Sequence, residues 1–263
     1  MPFSTQTGPR IYWKLEGCDE APALVLLNSI GTDMGLWAAC LPHLRKSFRV
    51  LTIDTRGHGA SDIVSGDYTL GALASDVLGS MDAAGLSSAA IAGVSLGGMI
   101  AMEMALSQPE RCDALALICT SATMDKAAWA DRVSKVRTSG MLGLVDLLMG
   151  RFLSEQFTAR EPAVAASIRR GLIKMDPAGY SGCAAAIRDM DIAHRITAIA
   201  QPTAVMTGDL DSSTPLPGHG DYLLASIAGS RHVRLPTAHL APLEAPESLA
   251  AHLTAFFAGA MNS

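Results

Sequence analysis

"IAGVSLGGMIAMEMAL", residues 91–106, sets a serine between two glycines where an apolar run stops and a helical pattern starts. Alanine and valine ahead of the serine suit a short buried strand, whereas Met99, Met102, Ala105 and Leu106 recur at the three-and-four spacing of an amphipathic helix. Ser95 therefore falls at a strand-to-helix turn. A G-x-S-x-G pattern is weak by itself, because a glycine-rich βα turn carries an incidental serine as readily as a reactive one. In a nucleophile elbow the serine occupies a strained turn that lifts its hydroxyl above the sheet, and small residues two before and two after let strand and helix approach. Gly93 and Gly97 meet that requirement.

Outward from this turn, strand-like runs occur at "IYWKL" (11–15), "ALVLLNS" (23–29), "FRVLTID" (48–54), "AAIAGVS" (89–95), "ALALICT" (114–120), "TAVMTGD" (203–209) and "HVRLP" (232–236). Short, nearly all-apolar strands alternating with helical patterns predict an α/β fold with a mostly parallel sheet covered on both faces. Such sheets bind ligands at the carboxyl ends of their strands. The stretch 124–195 breaks the alternation: it holds Trp129, "VSKVRTSGMLGLVDLLMGRFL" and "SIRRGLIKM", rich in helix formers and without a convincing strand. It reads as a helical cap inserted into a core made of residues 1–123 and 196–263. "SLAAHLTAFFAGAM" reads as an amphipathic closing helix.

With 263 residues and 49% hydrophobic content the chain can bury a full core, read here as one α/β unit carrying an insertion. A net charge of −5 and the absence of any long basic run argue against a nucleic-acid surface and leave a small molecule as the expected partner. The five cysteines, Cys18, Cys40, Cys112, Cys119 and Cys183, are scattered and free of C-x-x-C spacing. They predict neither a disulfide framework nor a zinc site, but small core residues in a reducing compartment. "MPFSTQTGPR" has no apolar segment and nothing approaches the ~18 apolar residues of a membrane span, so the reading is a cytoplasmic protein without membrane contact.

A serine hydroxyl is a weak nucleophile until a histidine removes its proton, and that histidine needs a carboxylate to fix its tautomer. Of seven histidines, His239 is the best placed, since "LPTAHLAPLE" follows the last strand as a loop. His43, His194, His219 and His252 read as surface or packing residues, and His232 opens a strand. For the acid, "TGDLDSSTP" offers Asp209 and Asp211; an aspartate several residues past the strand end has the reach to meet a histidine loop, which favours Asp211 and keeps Asp209 as the alternative. Acyl transfer also needs donors aimed at the oxyanion. The amide of Leu96 supplies one, and the amide of Ile30 in "LLNSIGTDMGLW" the other, the alternative being that Asn28 and Ser29 are ordinary turn formers.

In this order, "NSIGTDMGLW", "TIDTRGHGASD", "GVSLGG", "GDLDSSTP" and "AHLAPLEAPE" resemble the α/β-hydrolase superfamily, and within it the 3-oxoadipate enol-lactonase branch. The resemblance runs from about residue 10 to 258 and takes in the insertion, where "GMLGLVDLL" and "DPAGYSGCAAAIRDMD" are similar to that branch's cap. It implies a triad of Ser95, Asp211 and His239 with oxyanion amides at Ile30 and Leu96, and it makes "RGHG" (56–59) a tight structural turn in which Arg56 and His58 have no catalytic role. The chain departs from the branch at "RFL" (151–153), where an aromatic "WFT" is usual, and at Ala241 and Pro242, where a serine-asparagine pair is usual.

These readings converge on hydrolysis of a carboxylic ester bond, a lactone foremost, through an acyl-enzyme that requires no metal or organic cofactor. A general carboxylesterase, or a C–C bond hydrolase or perhydrolase on the same triad, is the alternative; a non-catalytic small-ligand-binding scaffold is a further one. A dehalogenase is opposed by chemistry, since alkyl displacement needs a carboxylate at position 95. An anionic lactone would need a cation to meet its carboxylate. The cap offers Arg132, Lys135, Arg137, Arg151, Arg169 and Arg170, most of which would merely solvate an exposed face. The expected pocket sets such a cation, Arg132, Arg137 or Arg151, beside an apolar wall of Trp129 or Phe152.

Overall fold

A computed structural model describes residues 3, 4 and 8–260. The strands are β1 (Trp13–Glu16), β2 (Ala23–Leu27), β3 (Arg49–Ile53), β4 (Ala89–Val94), β5 (Cys112–Ile118), β6 (Thr203–Gly208) and β7 (Arg231–Leu235). They form one sheet in the order β1-β3-β2-β4-β5-β6-β7. β1 runs antiparallel to β3, and every other neighbouring pair is parallel. The central strands carry aliphatic residues on both faces because both faces are covered, and β4 is buried at every position.

The helices are α1 (Leu41–Leu44), α2 (Leu70–Ala83), α3 (Leu96–Ser107), α4 (Lys126–Ser139), α5 (Val145–Phe152), α6 (Glu155–Arg160), α7 (Pro162–Lys174), α8 (Pro177–Asp189), α9 (Asp221–Ser226), α10 (Ala241–Glu244) and α11 (Pro246–Ala260). α4 to α8 lie between β5 and β6 and contain no strand. Their starts follow local chemistry: Asp125, Ser154 and Asp176 each accept a backbone N–H of the following first turn, and α7 and α8 open on proline. Among the described residues no helix is long and apolar enough to cross a membrane.

Two expectations change. α3 is not amphipathic: Leu96–Met102, Met104 and Ala105 are all buried. It sits directly on the sheet with α2 packed against it, so almost no face is left for water. Cys18 is exposed, whereas the other four cysteines are buried core residues as read from the sequence, and none is disulfide-bonded.

Candidate active site

Ser95 joins β4 to α3 at φ 55° and ψ −116°, angles that a residue with a Cβ adopts only when its surroundings enforce them. Its amide donates to Ile118 O at 2.9 Å, and its carbonyl accepts the Thr120 hydroxyl at 2.6 Å and the Gly98 amide at 2.9 Å. A Cβ on Gly93 would overlap the backbone of Gly97, and one on Gly97 would come within 2.6 Å of Leu27 O. The two glycines flanking the serine are therefore what lets α3 start directly over the sheet. Leu96, the first residue of α3, carries an amide with no acceptor inside the helix.

His239 lies on the loop after β7, and its Nδ1 stands 3.0 Å from both carboxylate oxygens of Asp211, with both side chains almost fully buried. Asp211 also accepts from Ser213 N at 2.8 Å, Thr214 N at 3.3 Å and Thr214 Oγ1 at 2.8 Å. Burial works to raise the Asp211 carboxyl, but the charge and hydrogen bond of His239 and the bonds from Thr214 and Ser213 outweigh it, so its pKa lies below the ordinary carboxylate value. Because the carboxylate only accepts, the Nδ1 facing it carries the ring proton and Nε2 is left as the basic nitrogen. Asp209 points elsewhere: it accepts from Arg234 at 2.9 Å on the exposed flank of β7.

Ser95, His239, Ile30, Ser213 and Thr214 share a cavity of about 30 Å³ with Trp129, Arg132, Leu148, Arg151 and Phe152 from the helices between β5 and β6. Phe152 stacks on the His239 ring with centroids 5.9 Å apart and planes 18° off parallel, and its carbonyl accepts the Leu240 amide at 3.1 Å. Glu244 of α10 fastens the same junction, accepting from Ser154 N at 2.6 Å, Ser154 Oγ at 3.0 Å and Ala238 N at 3.1 Å. The Arg132 guanidinium lies 4.1 Å from the centre of the Trp129 ring. Among the described residues, neither Arg132 nor Arg151 has a carboxylate within 4 Å. The fully buried Tyr180 hydroxyl lacks a hydrogen-bond partner of good geometry. Burial pushes its pKa up, and Arg132 and Arg151 lie near enough to oppose that push.

The other cations of the segment between β5 and β6 are placed differently. Arg137 does not line the cavity: it is exposed and ion-paired with Asp67, so its expected place beside the apolar wall is corrected. Arg169 pairs with Asp146 at 2.6 Å, and Lys135 is exposed. Arg170 lines a separate groove of about 1090 Å³ between α7 and the segment after β2. Sequence reasoning missed Glu244, Thr214 and Tyr180. For Thr214 the "DSST" turn after the acid was a usable signal, because a hydroxyl three residues on can return to the aspartate.

A sequence profile of the alpha/beta hydrolase fold matches residues 22–246. 3-Oxoadipate enol-lactonase 1 of Acinetobacter baylyi is 28% identical over 246 residues, covering 93% of this chain and 92% of that protein. The crystal structure of the enol-lactonase from Burkholderia xenovorans LB400 superposes with a TM-score of 0.94 at 34% identity, covering 98% of this chain and all of the other. A thermophilic esterase from Thermogutta terrifontis, solved with malate bound, has a TM-score of 0.91 at 25% identity and 98% coverage of both chains. The motif resemblance and the sheet topology are thus joined by likeness along the whole chain, enol-lactonases among its relatives, and the protein belongs to the α/β-hydrolase fold family.

Proposed function

We propose that the protein hydrolyses the ester bond of a carboxylate-bearing lactone through an acyl-enzyme on Ser95. One observation carries this reading: a serine on a strained elbow shares a small cavity with a histidine oriented by a buried aspartate and with two arginines that, among the described residues, have no carboxylate partner. Similarity to enol-lactonases supports it, since a dicarboxylic acid that closes a ring through one carboxyl keeps the other free.

In this mechanism the Ser95 hydroxyl attacks the lactone carbonyl while His239 Nε2 takes its proton and Asp211 stabilises the imidazolium. The tetrahedral oxyanion receives the amides of Leu96 and Ile30. Collapse breaks the ring C–O bond, and His239 returns the proton to the departing oxygen, which stays tethered in the same acyl group. Water, deprotonated by His239, then attacks the acyl carbon and releases the ring-opened acid with Ser95 restored. Arg132 and Arg151 meet the free carboxylate, whose desolvation is otherwise costly.

Fluorophosphonate labelling combined with a panel of lactones and p-nitrophenyl esters tests the reading. The expected result is a single adduct on Ser95 and a higher kcat/KM for a carboxylate-bearing lactone than for its methyl ester. Ser95→Ala loses the adduct and lowers kcat by about 10³-fold or more while remaining folded. A variant keeping more than about a tenth of turnover removes Ser95 from the mechanism.

A further inference from the structure

We propose that His58 is a positioning residue for catalysis: from beneath the loop after β2, its neutral ring accepts the Gly31 N–H and so fixes the turn that presents the Ile30 amide. The proposal rests on the reading that this amide receives the oxyanion.

His58 is 2% exposed and is the third residue of the "RGHG" turn after β3. Its two ring nitrogens meet opposite kinds of partner. Nδ1 lies 3.2 Å from the carbonyl of Arg56, which can only accept, and Nε2 lies 3.0 Å from the amide of Gly31, which can only donate. Only one protonation state satisfies both: proton on Nδ1, lone pair on Nε2, no net charge. An imidazolium would set an N–H against the Gly31 N–H and lose that bond. Burial pushes the His58 pKa below the ordinary imidazole value, against the opposing pull of the Arg56 carbonyl and of Asp33, and so favours the state that the bond needs.

The bonded amide sits at the centre of the loop. Thr32 N donates to Ser29 O at 3.2 Å, and Gly31 has φ 84°, so Ser29–Thr32 is a tight turn with a positive φ at its third residue, the mark of type II. Types I and II differ by a flip of the central peptide, here Ile30–Gly31. His58 Nε2 accepts that peptide's N–H and Ser29 Oγ donates to its carbonyl at 3.4 Å, so the peptide that follows the Ile30 amide is anchored to the core from below by His58. The loop's ends are tied independently, by Asn28 Nδ2 to Ile53 O at 2.7 Å and by Met34 N to an Asp54 carboxylate oxygen at 2.8 Å. Neither of these bonds reaches the central peptide. Ile30 itself lines the cavity with Ser95, whereas His58 does not touch that cavity. His58 therefore acts through the loop, not on substrate.

The test compares His58→Leu, which removes the acceptor, with His58→Gln, whose Oε1 replaces Nε2 and does not titrate. Steady-state kinetics on a p-nitrophenyl ester are run beside Ser95→Ala. The expected result is a kcat about 10- to 100-fold lower in His58→Leu with KM within about 2-fold, because a displaced oxyanion donor acts on the transition state and not on bound ester. His58→Gln is expected to recover kcat to within about 3-fold of wild type. His58→Leu that keeps kcat and only melts earlier, or that changes KM instead, overturns the proposal. So does a folded His58→Gln that fails to recover. If His58→Leu does not fold, His58→Met, which equally lacks the ring acceptor, takes its place under the same criterion. An inactive Ser95→Ala beside an unaffected His58→Leu removes the role of His58 alone; an active Ser95→Ala removes the hydrolase reading and this proposal with it.

Discussion

On the sheet side of the site the Asp211 carboxylate and the Ser95 backbone are each tied to several neighbours, while on the helical side two guanidinium groups have, among the described residues, no carboxylate within 4 Å. Asp211 receives bonds from His239, Thr214 and Ser213, and the Ser95 backbone is held by Ile118, Thr120 and Gly98. Across the cavity Arg132 rests on the Trp129 ring and Arg151 faces the same space, whereas Arg137, Arg169 and Arg188 of the same run of helices are each satisfied by an aspartate. The contrast separates two tasks. Groups that must hold one geometry through a reaction are over-determined by bonds, and groups that must exchange water for a ligand are not. A cavity of about 30 Å³ takes little more than a water or two, so the helical side also has to yield before an ester reaches Ser95.

Substitutions on the two sides should therefore fail in different ways. The largest effect belongs to the sheet side: Asp211→Asn should lower kcat by about 10²- to 10⁴-fold, since an amide favours the wrong histidine tautomer. Asp209→Asn, which disturbs only an exposed pair with Arg234, should stay within about 2-fold. Steady-state kinetics on one aryl ester settle the pair, and a reversed order would move the acid to Asp209. On the helical side, Arg132→Met or Arg151→Met should raise KM for an anionic lactone by about 10-fold or more and leave a neutral aryl ester almost unchanged. Equal effects on both substrates would make the pocket one for neutral esters. The smallest effect lies at the seam, where Glu244→Gln weakens the junction of Ser154 with Ala238. It should lower kcat/KM for both substrates alike by about 2- to 5-fold, with a drop of a few degrees in Tm.

The same division explains what the sequence disclosed. The parallel sheet and the elbow were legible because buried strands leave unbroken apolar runs and because Gly93 and Gly97 are demanded by local sterics. α3 was misread as amphipathic because spacing was followed where composition was the better guide: the helix carries a single charged residue, Glu103. The choice between Asp209 and Asp211 depends on where the loop after β7 returns, which no local pattern records. Arg137 went astray for a similar reason: Asp67, which holds it, is 70 positions away. Glu244 had no signal at all, since two of its bonds come from Ser154, 90 positions earlier.

The backbone angles of Ser95 have a consequence for the stability of the whole chain. A side chain held at φ 55° and ψ −116° costs on the order of 1–3 kcal/mol, borne by the rest of the fold. Glycine takes those angles freely, and the Ser95 hydroxyl caps no amide of α3 that the substitution would release. Against the ~0.5–1 kcal/mol that glycine's greater freedom in the unfolded chain costs, Ser95→Gly should still melt a few degrees higher than the wild type while having no nucleophile, a trade of durability for chemistry made at one residue.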